Sequence, residues 1–136
     1  MSAIPQSSPQ HEANYDASNS DRIAIKALVR VFKAWRLAAP EAAKLSGASE
    51  RTWNRMKNET WTGSLSQDQR LRASALIGLY KGLHLYFSDT LADKWARMPN
   101  RGPLFQGQAP IDYMIAGGLP AILNAREYID AVRGGV

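Results

Sequence analysis

The sequence predicts an all-α protein, because every patterned stretch repeats its apolar residues at helical spacing and none alternates as a strand does. Helix start and stop signals separate these stretches, with Ser or Pro at the starts and Gly at several of the ends. The chain has 136 residues, enough for one ordinary domain or two very small ones. It has no cysteine, which excludes disulfide scaffolds and thiolate chemistry and fits a reducing compartment.

The N-terminal residues 1–20 are rich in Ser, Gln, Asn and Pro and show no apolar period, so we expect a flexible arm. Asp21 is expected to cap a first helix that starts at Arg22. One side of this helix is apolar and another side is basic. The apolar side consists of Ile25, Leu28, Val29, Phe32 and Trp35, and the basic side consists of Arg22, Lys26, Arg30 and Lys33.

A pair of short helices joined by a turn is predicted in residues 40–57. Pro40 suits a first helical turn, Gly47 suits the left-handed conformation that ends a helix, and Ser49 can cap a second helix that ends near Lys57. This is the layout of a helix-turn-helix, although αα-hairpins in plain bundles look the same. We interpret residues 21–62 as a DNA-binding part.

Residues 63–136 are predicted to form a helical dimerisation and partner-binding domain. A capping box of Ser66 and Gln69 opens a long helix over about 67–87, which is apolar around much of its girth and therefore central. A shorter helix is expected from Thr90 to Arg97, followed by a Pro- and Gly-rich loop. Two further helices start at Pro110 and Pro120, separated by a Gly-Gly break at 117–118.

The positive charge is concentrated in one segment. The chain has a formal net charge of +5, yet residues 22–57 hold nine basic and two acidic residues, while residues 1–21 hold three acids and no Lys or Arg. A concentrated basic block suits an anionic partner such as DNA, and a solvated basic helix face is the alternative.

No constellation for catalysis is evident. His84 stands alone on the long helix and is interpreted as a hydrogen-bonded histidine at the edge of the core. Asp89 and Asp93 are expected to pair with Lys94 and Arg97. The four Trp residues are assigned to core packing, no metal or cofactor is predicted, and we do not expect an enzyme. No signal pattern or apolar run of membrane-spanning length is present, so a cytoplasmic location with no membrane partner is expected.

The C-terminal segment contains a dense set of features: Trp95, the runs Met98–Asn100, Leu104–Gly107 and Pro110–Met114, Gly117–Gly118, and the Arg-Gly-Gly ending. In these features it closely resembles the toxin-binding domain of the Xre/MbcA/ParS antitoxins. Residues 40–57 are similar to the Xre-like N-terminal part of the same family. The resemblance implies a type II antitoxin that dimerises, blocks the NAD⁺ pocket of a RES-domain toxin, and represses its own operon.

Two sets of binding residues follow. In helix-turn-helix proteins the second helix reads the major groove, Arg pairing with guanine and Asn with adenine, while other side chains hold phosphates. For operator DNA we select Ser49, Arg51, Thr52, Asn54, Arg55 and Lys57, with basic residues of the first helix as further phosphate contacts; for toxin binding we select Arg126, Tyr128, Arg133, Gly134, Gly135 and Val136. Two other functions stay open: a transcription regulator without a toxin partner, and a toxin-binding protein that has lost DNA binding.

Overall fold

The computed structural model describes the backbone of residues 9–134 and the side chains of residues 18–134. Within that range the chain is all-helical and contains no strand, so the predicted fold class is confirmed. The helices are α1 Pro9–Ala34, α2 Ala39–Ser46, α3 Glu50–Lys57, α4 Gln67–Tyr86, α5 Asp89–Trp95 and α6 Pro110–Arg133.

Helix α1 is longer than predicted. It begins at Pro9 rather than at Arg22, so residues 9–20 of the expected flexible arm are helical, while residues 1–8 lie outside the described residues. The physical reason is that residues 10–39 contain no Gly or Pro to interrupt a helix, and Pro9 itself suits a helix start. A polar composition without an apolar period was therefore wrongly interpreted as the absence of structure.

Asp21 does not cap a helix, which corrects the second prediction for this region. It lies inside α1, is 3% exposed, and accepts hydrogen bonds from Arg70 Nε at 2.9 Å and Arg70 Nη2 at 3.1 Å. It also accepts the Leu65 backbone N–H at 3.0 Å. The bonds from Arg70 hold the pKa of Asp21 below its ordinary value, against the opposing effect of burial. A buried acid thereby joins α1 to the start of α4.

The predicted helix boundaries around the short pair hold well. Ser49 Oγ accepts the Thr52 N–H at 3.0 Å and caps α3, and Gly47 ends α2 with φ of 76°. Ser66 and Gln69 form the predicted capping box of α4. The boundaries of α5 are shifted, because Ser88 is its N-cap and Trp95 its last residue.

Helix α4 is the centre of the fold, as its apolar girth predicted. Leu76, Leu79 and Leu83 are fully buried, and α4 packs against α1 on one side and α6 on another. Gly82 allows the close approach of α6, because a Cβ there would lie 3.1 Å from Ile129 Cγ2. The packing of α4 on α6 is the most extensive in the chain, and it carries the C-terminal segment on a rigid support.

Helix α6 contains the predicted break. Gly118 has φ of 68° and ψ of −152°, a backbone conformation that essentially only glycine adopts. Pro120 follows two residues later and opens the second half of the helix. The residues after Pro120 therefore run in a direction that differs from a straight continuation of the first half.

The tryptophan prediction is confirmed for three residues and in part for the fourth. Trp35, Trp53 and Trp95 are buried, whereas Trp61 in the connector after α3 is half-buried. No helix in the described part of the chain combines the length and apolar character needed to cross a bilayer.

Candidate functional site

Helix α3 exposes three of the six residues predicted for DNA. Trp53 and Met56 face inward and are buried, as predicted. Arg51, Arg55 and Lys57 are exposed and form no ion pair with any residue between 18 and 134. Arg51 and Arg55, one turn apart, share one helix face, while Lys57 lies on another side of α3 at about 100° per residue. Cations without an internal partner can contact an anion without first breaking internal bonds.

The other predicted DNA residues differ in their availability. Asn54 and Thr52 are half-buried, and Ser49 is exposed but already uses its hydroxyl oxygen as the helix cap. Its hydroxyl hydrogen remains able to donate to a phosphate. Ser49 is thus held at the start of α3 by its own capping bond, which positions the first turn of the helix.

Two side chains of α4 hold the turn between α2 and α3. Gln69 Nε2 donates to the Gly47 carbonyl at 3.1 Å, and Arg72 Nη1 donates to the Lys44 carbonyl at 2.9 Å. Arg72 Nε is fixed by Asp68 at 2.7 Å. These bonds satisfy carbonyl groups at the end of α2 that the helix itself leaves open.

Arg72 also reaches the break in α6. A Cβ built on Gly118 would lie 3.6 Å from Arg72 Nη2, which is ordinary van der Waals contact. One guanidinium therefore bonds to the end of α2 and lies near the point where α6 changes direction. This arrangement could not be predicted from the sequence, because the three segments lie far apart along the chain.

Arg97 is another side chain that joins the N-terminal helices to the C-terminal part. Its Nη2 donates to Glu41 Oε1 at 2.7 Å and to the Arg36 carbonyl at 2.6 Å, and its Nε donates to the Trp35 carbonyl at 2.8 Å. The hydrogen bonds from Arg97 lower the pKa of Glu41 despite its partial burial. The expected pairing of Arg97 with Asp89 or Asp93 is wrong. The Glu41 carboxylate and the backbone carbonyls that follow α1 together accept more hydrogen bonds from its guanidinium.

The aromatic members of the C-terminal motif form a packed cluster. Phe105 is fully buried, and its ring lies edge-on to Trp95 at 5.5 Å, Tyr113 at 5.2 Å and Tyr128 at 5.3 Å between ring centroids. A Cβ on Gly102 would lie 3.1 Å from the Tyr128 hydroxyl. Much of the motif is thus explained by the packing of one loop on α6.

The predicted toxin-binding residues separate into packed and exposed ones. Tyr128 is a member of the aromatic cluster, and Arg126 lies against α4, where it donates to the Ser74 carbonyl at 3.3 Å. A Cβ on Gly78 would lie 2.4 Å from the Arg126 guanidinium carbon, so a larger residue at position 78 would clash with the Arg126 side chain. Both residues are held by internal contacts.

The end of the chain is the more available part. Arg133 is exposed and contacts Asp130 Oδ1 at 3.5 Å, and Gly134 is the exposed C-cap of α6. Gly135 and Val136, the remaining predicted toxin contacts, lie outside the described residues. The structure therefore brings Arg133 and Gly134 to the surface together, and Asp130 joins Arg133 to the more packed Arg126, whose Nε lies 3.7 Å from Asp130 Oδ2.

His84 is clamped between two carboxylates. Its Nδ1 lies 2.9 Å from Asp89 Oδ1 and its Nε2 lies 2.9 Å from Asp93 Oδ1, so the predicted pairing of these acids with Lys94 and Arg97 is wrong. Burial acts to lower the pKa of His84, but the bonds to Asp89 and Asp93 outweigh it and raise that pKa above its ordinary value. The two acids approach opposite ring nitrogens, and no metal-binding group is found among residues 18–134.

The stability conferred by this clamp should depend on pH. Only the protonated ring has two N–H donors, so only that form can donate to both carboxylates. The stability that the second bond adds is full below the ordinary histidine pKa and is lost as pH rises through the raised pKa of His84 in the folded chain. We expect the difference in unfolding free energy between the unaltered chain and His84→Asn to be larger at pH 5.5 than at pH 8.5. Urea unfolding at both pH values measures it, and an equal difference contradicts the clamp.

The comparison with known proteins gives one relative. The chain is 34% identical over 122 residues to the uncharacterized protein y4oB of Sinorhizobium fredii (strain NBRC 101917 / NGR234), and the aligned region covers 88% of this chain and 92% of the relative. The chain belongs to the y4oB family. No protein-family model matches the sequence. Because y4oB is described as uncharacterized, membership of its family adds no activity, and the function has to be argued from the site.

Proposed function

We propose that the protein is the antitoxin of a type II toxin–antitoxin pair, which binds a RES-domain, NAD-consuming toxin and blocks its NAD⁺ pocket. The observation that carries the proposal is the dense resemblance of residues 95–135 to the toxin-binding domain of the Xre/MbcA/ParS antitoxins. The buried part of that motif is accounted for by packing around Phe105. The functional part of the argument therefore depends on the exposed residues that end α6.

The end of α6 and the residues after it are the proposed inhibitory element. Arg133 and Gly134 are exposed at the end of a helix that packs on α4. We assign residues 133–136 to the NAD⁺ pocket of the toxin, with Gly134 and Gly135 allowing close approach.

The second half of the proposal is repression of the protein's own operon through α2 and α3. The exposed Arg51, Arg55 and Lys57 support it, since none pairs with an acid between residues 18 and 134. The fixation of the α2–α3 turn by Gln69 and Arg72 also supports it. We place the protein in the cytoplasm as a homodimer, since paired half-sites suit a two-fold dimer.

Co-expression with the toxin encoded beside it tests the first half. We expect the two chains to co-purify and the full chain to prevent NAD⁺ loss, whereas the chain ending at residue 132 should leave NAD⁺ loss close to that of the toxin alone. A chain lacking residues 1–8 is the matched control and should inhibit fully, because no assigned residue lies there. Full inhibition by the truncated chain would overturn the role of the terminus, and failure to co-purify would favour a regulator without a toxin partner.

Replacement of Arg51 and Arg55 by alanine tests the second half. We expect the double variant to lose operator affinity and keep toxin binding, since a good bidentate contact to a base is worth roughly 1–3 kcal/mol of discrimination. Mobility shifts at matched salt measure it, with the exposed pair Lys81→Ala and Lys94→Ala as the control. Equal mobility shifts of both variants would identify the protein as a toxin binder that does not read DNA.

A further inference from the structure

Three adjoining shallow grooves run along the seam between α1 and the segment that contains α3. The first groove, of about 340 Å³, is lined by Arg22 and Lys26 of α1 and by Trp61 and Thr62 of the connector after α3. The second groove, which Arg30 lines, shares Lys26 with the first groove. The third groove, which Lys33 lines, shares Lys57 with the second. The grooves therefore form one continuous channel beside the α3 surface.

One edge of this channel is a row of cations. Arg22, Lys26, Arg30 and Lys33 recur at about one per turn along α1, and all four are exposed. At 1.5 Å per residue the row is about 16 Å long. Its only ion pair with a residue between 18 and 134 is the 3.7 Å contact of Lys26 with Glu59, in which both side chains are mostly exposed. Such a contact is worth little and does not neutralise the row.

The lining between the cations is partly apolar. Ile25 and Met56 line the channel and are themselves buried, with 7% and 4% of their surfaces exposed. The cations along the edge, spaced about one per turn, fit an extended polyanion, whose attraction is electrostatic and needs no deep pocket.

We infer that the α1 row is a track for the phosphate backbone of double-stranded DNA, running beside α3 and ending at the connector of Trp61 and Thr62. The track supplies sequence-independent affinity, while α3 supplies the reading of bases; the Thr62 hydroxyl can donate to a phosphate at the end of the track. The inference rests on the proposed DNA-binding role of α3 for the identity of the polyanion.

The test uses the full chain and two duplexes of equal length: the DNA upstream of its own gene and an unrelated sequence. The track variant is Arg22→Gln, Arg30→Gln and Lys33→Gln; the control variant is Lys81→Gln, Lys94→Gln and Arg101→Gln, which are exposed residues away from the grooves. Both variants lower the net charge by three. Affinity is measured against salt concentration, since each phosphate contact contributes about 0.9 to the slope of log affinity against log salt.

We expect the slope of the track variant to fall by about 2.7 on both duplexes, and that of the control variant to stay at the value of the unaltered chain. Equal slopes for the track and control variants would overturn the inference, since only net charge would then matter. If the unaltered chain binds both duplexes equally, operator recognition by α3 fails, yet the slopes still decide the track. If it binds neither duplex at low salt, the track is overturned, and toxin inhibition is still tested separately by NAD⁺ loss.

Discussion

Phe105→Ala is expected to lower the free energy of unfolding by about 3–5 kcal/mol, the range for removing a fully buried phenylalanine ring. Phe105 is 0% exposed, and its ring contacts three other aromatic rings at edge-on angles of 81° to 83°. Each such pair adds about 0.5–1.5 kcal/mol beyond the area that it buries. In a domain with a total stability of about 5–15 kcal/mol, this loss removes a large fraction.

The measurement is the thermal midpoint together with toxin inhibition. We expect the midpoint to fall by roughly 10–20 °C. Leu123→Ala is the matched control, because Leu123 lies on α6 in the same domain but is 44% exposed. Phe105→Leu retains part of the volume and should fall between the two. A midpoint for Phe105→Ala no lower than that of Leu123→Ala would contradict a central role for the cluster.

This cluster shows what a sequence motif can and cannot indicate. The run Leu104–Gly107 carries much of the resemblance to the antitoxin domain, and the structure accounts for it by a buried ring followed by two residues with positive φ, Gln106 at 52° and Gly107 at 90°. Such a motif is a signature of how a loop folds. The residues that meet a partner have to be sought among the exposed ones, where Arg133 lies.

Local signals predicted the short helices well. Ser49, Ser66 and Gly47 affect backbone groups within a few residues of themselves, so their roles can be predicted from the local sequence. The same reasoning was wrong for Asp21. Aspartate is a common N-cap, but Asp21 lies inside α1. Its partners, Leu65 and Arg70, lie 44 and 49 residues away, and nothing in the sequence marks that distance.

The candidate sites were predictable to different degrees. The basic side of α1 and the outward face of α3 follow from helical spacing, and both faces are exposed as expected. The grooves that join them could not be predicted, because they depend on how α1 packs against the segment after α3. The internal contacts of Arg126 could not be predicted from the sequence either, since they depend on Gly78, which lies on α4.

Arg72 lies between the two proposed binding regions. Its guanidinium bonds to the end of α2, and its Nη2 lies near Gly118, where α6 changes direction. The second half of α6 carries Arg133 and Gly134. The geometry of the break therefore determines the direction in which residues 120–133 run.

Gly118→Ala is expected to cost about 1–3 kcal/mol of unfolding free energy, because φ of 68° with ψ of −152° is a conformation that an L-residue with a side chain rarely adopts. Space is not the reason, since the added Cβ would lie 3.6 Å from Arg72 Nη2. A straight α-helix through this region would also be destabilised, because Pro120 lacks a backbone N–H and its ring would clash with the carbonyl of the preceding turn.

Gly134→Ala is the matched control for this change. Gly134 has φ of −72° and ψ of 0°, which alanine adopts without strain, and it is exposed at the end of the same helix. Urea unfolding should therefore separate the two variants by at least about 1 kcal/mol. If the variants are equally stable, the break is not imposed by glycine, and the direction of residues 120–133 must be set by the packing of α6 on α4 alone.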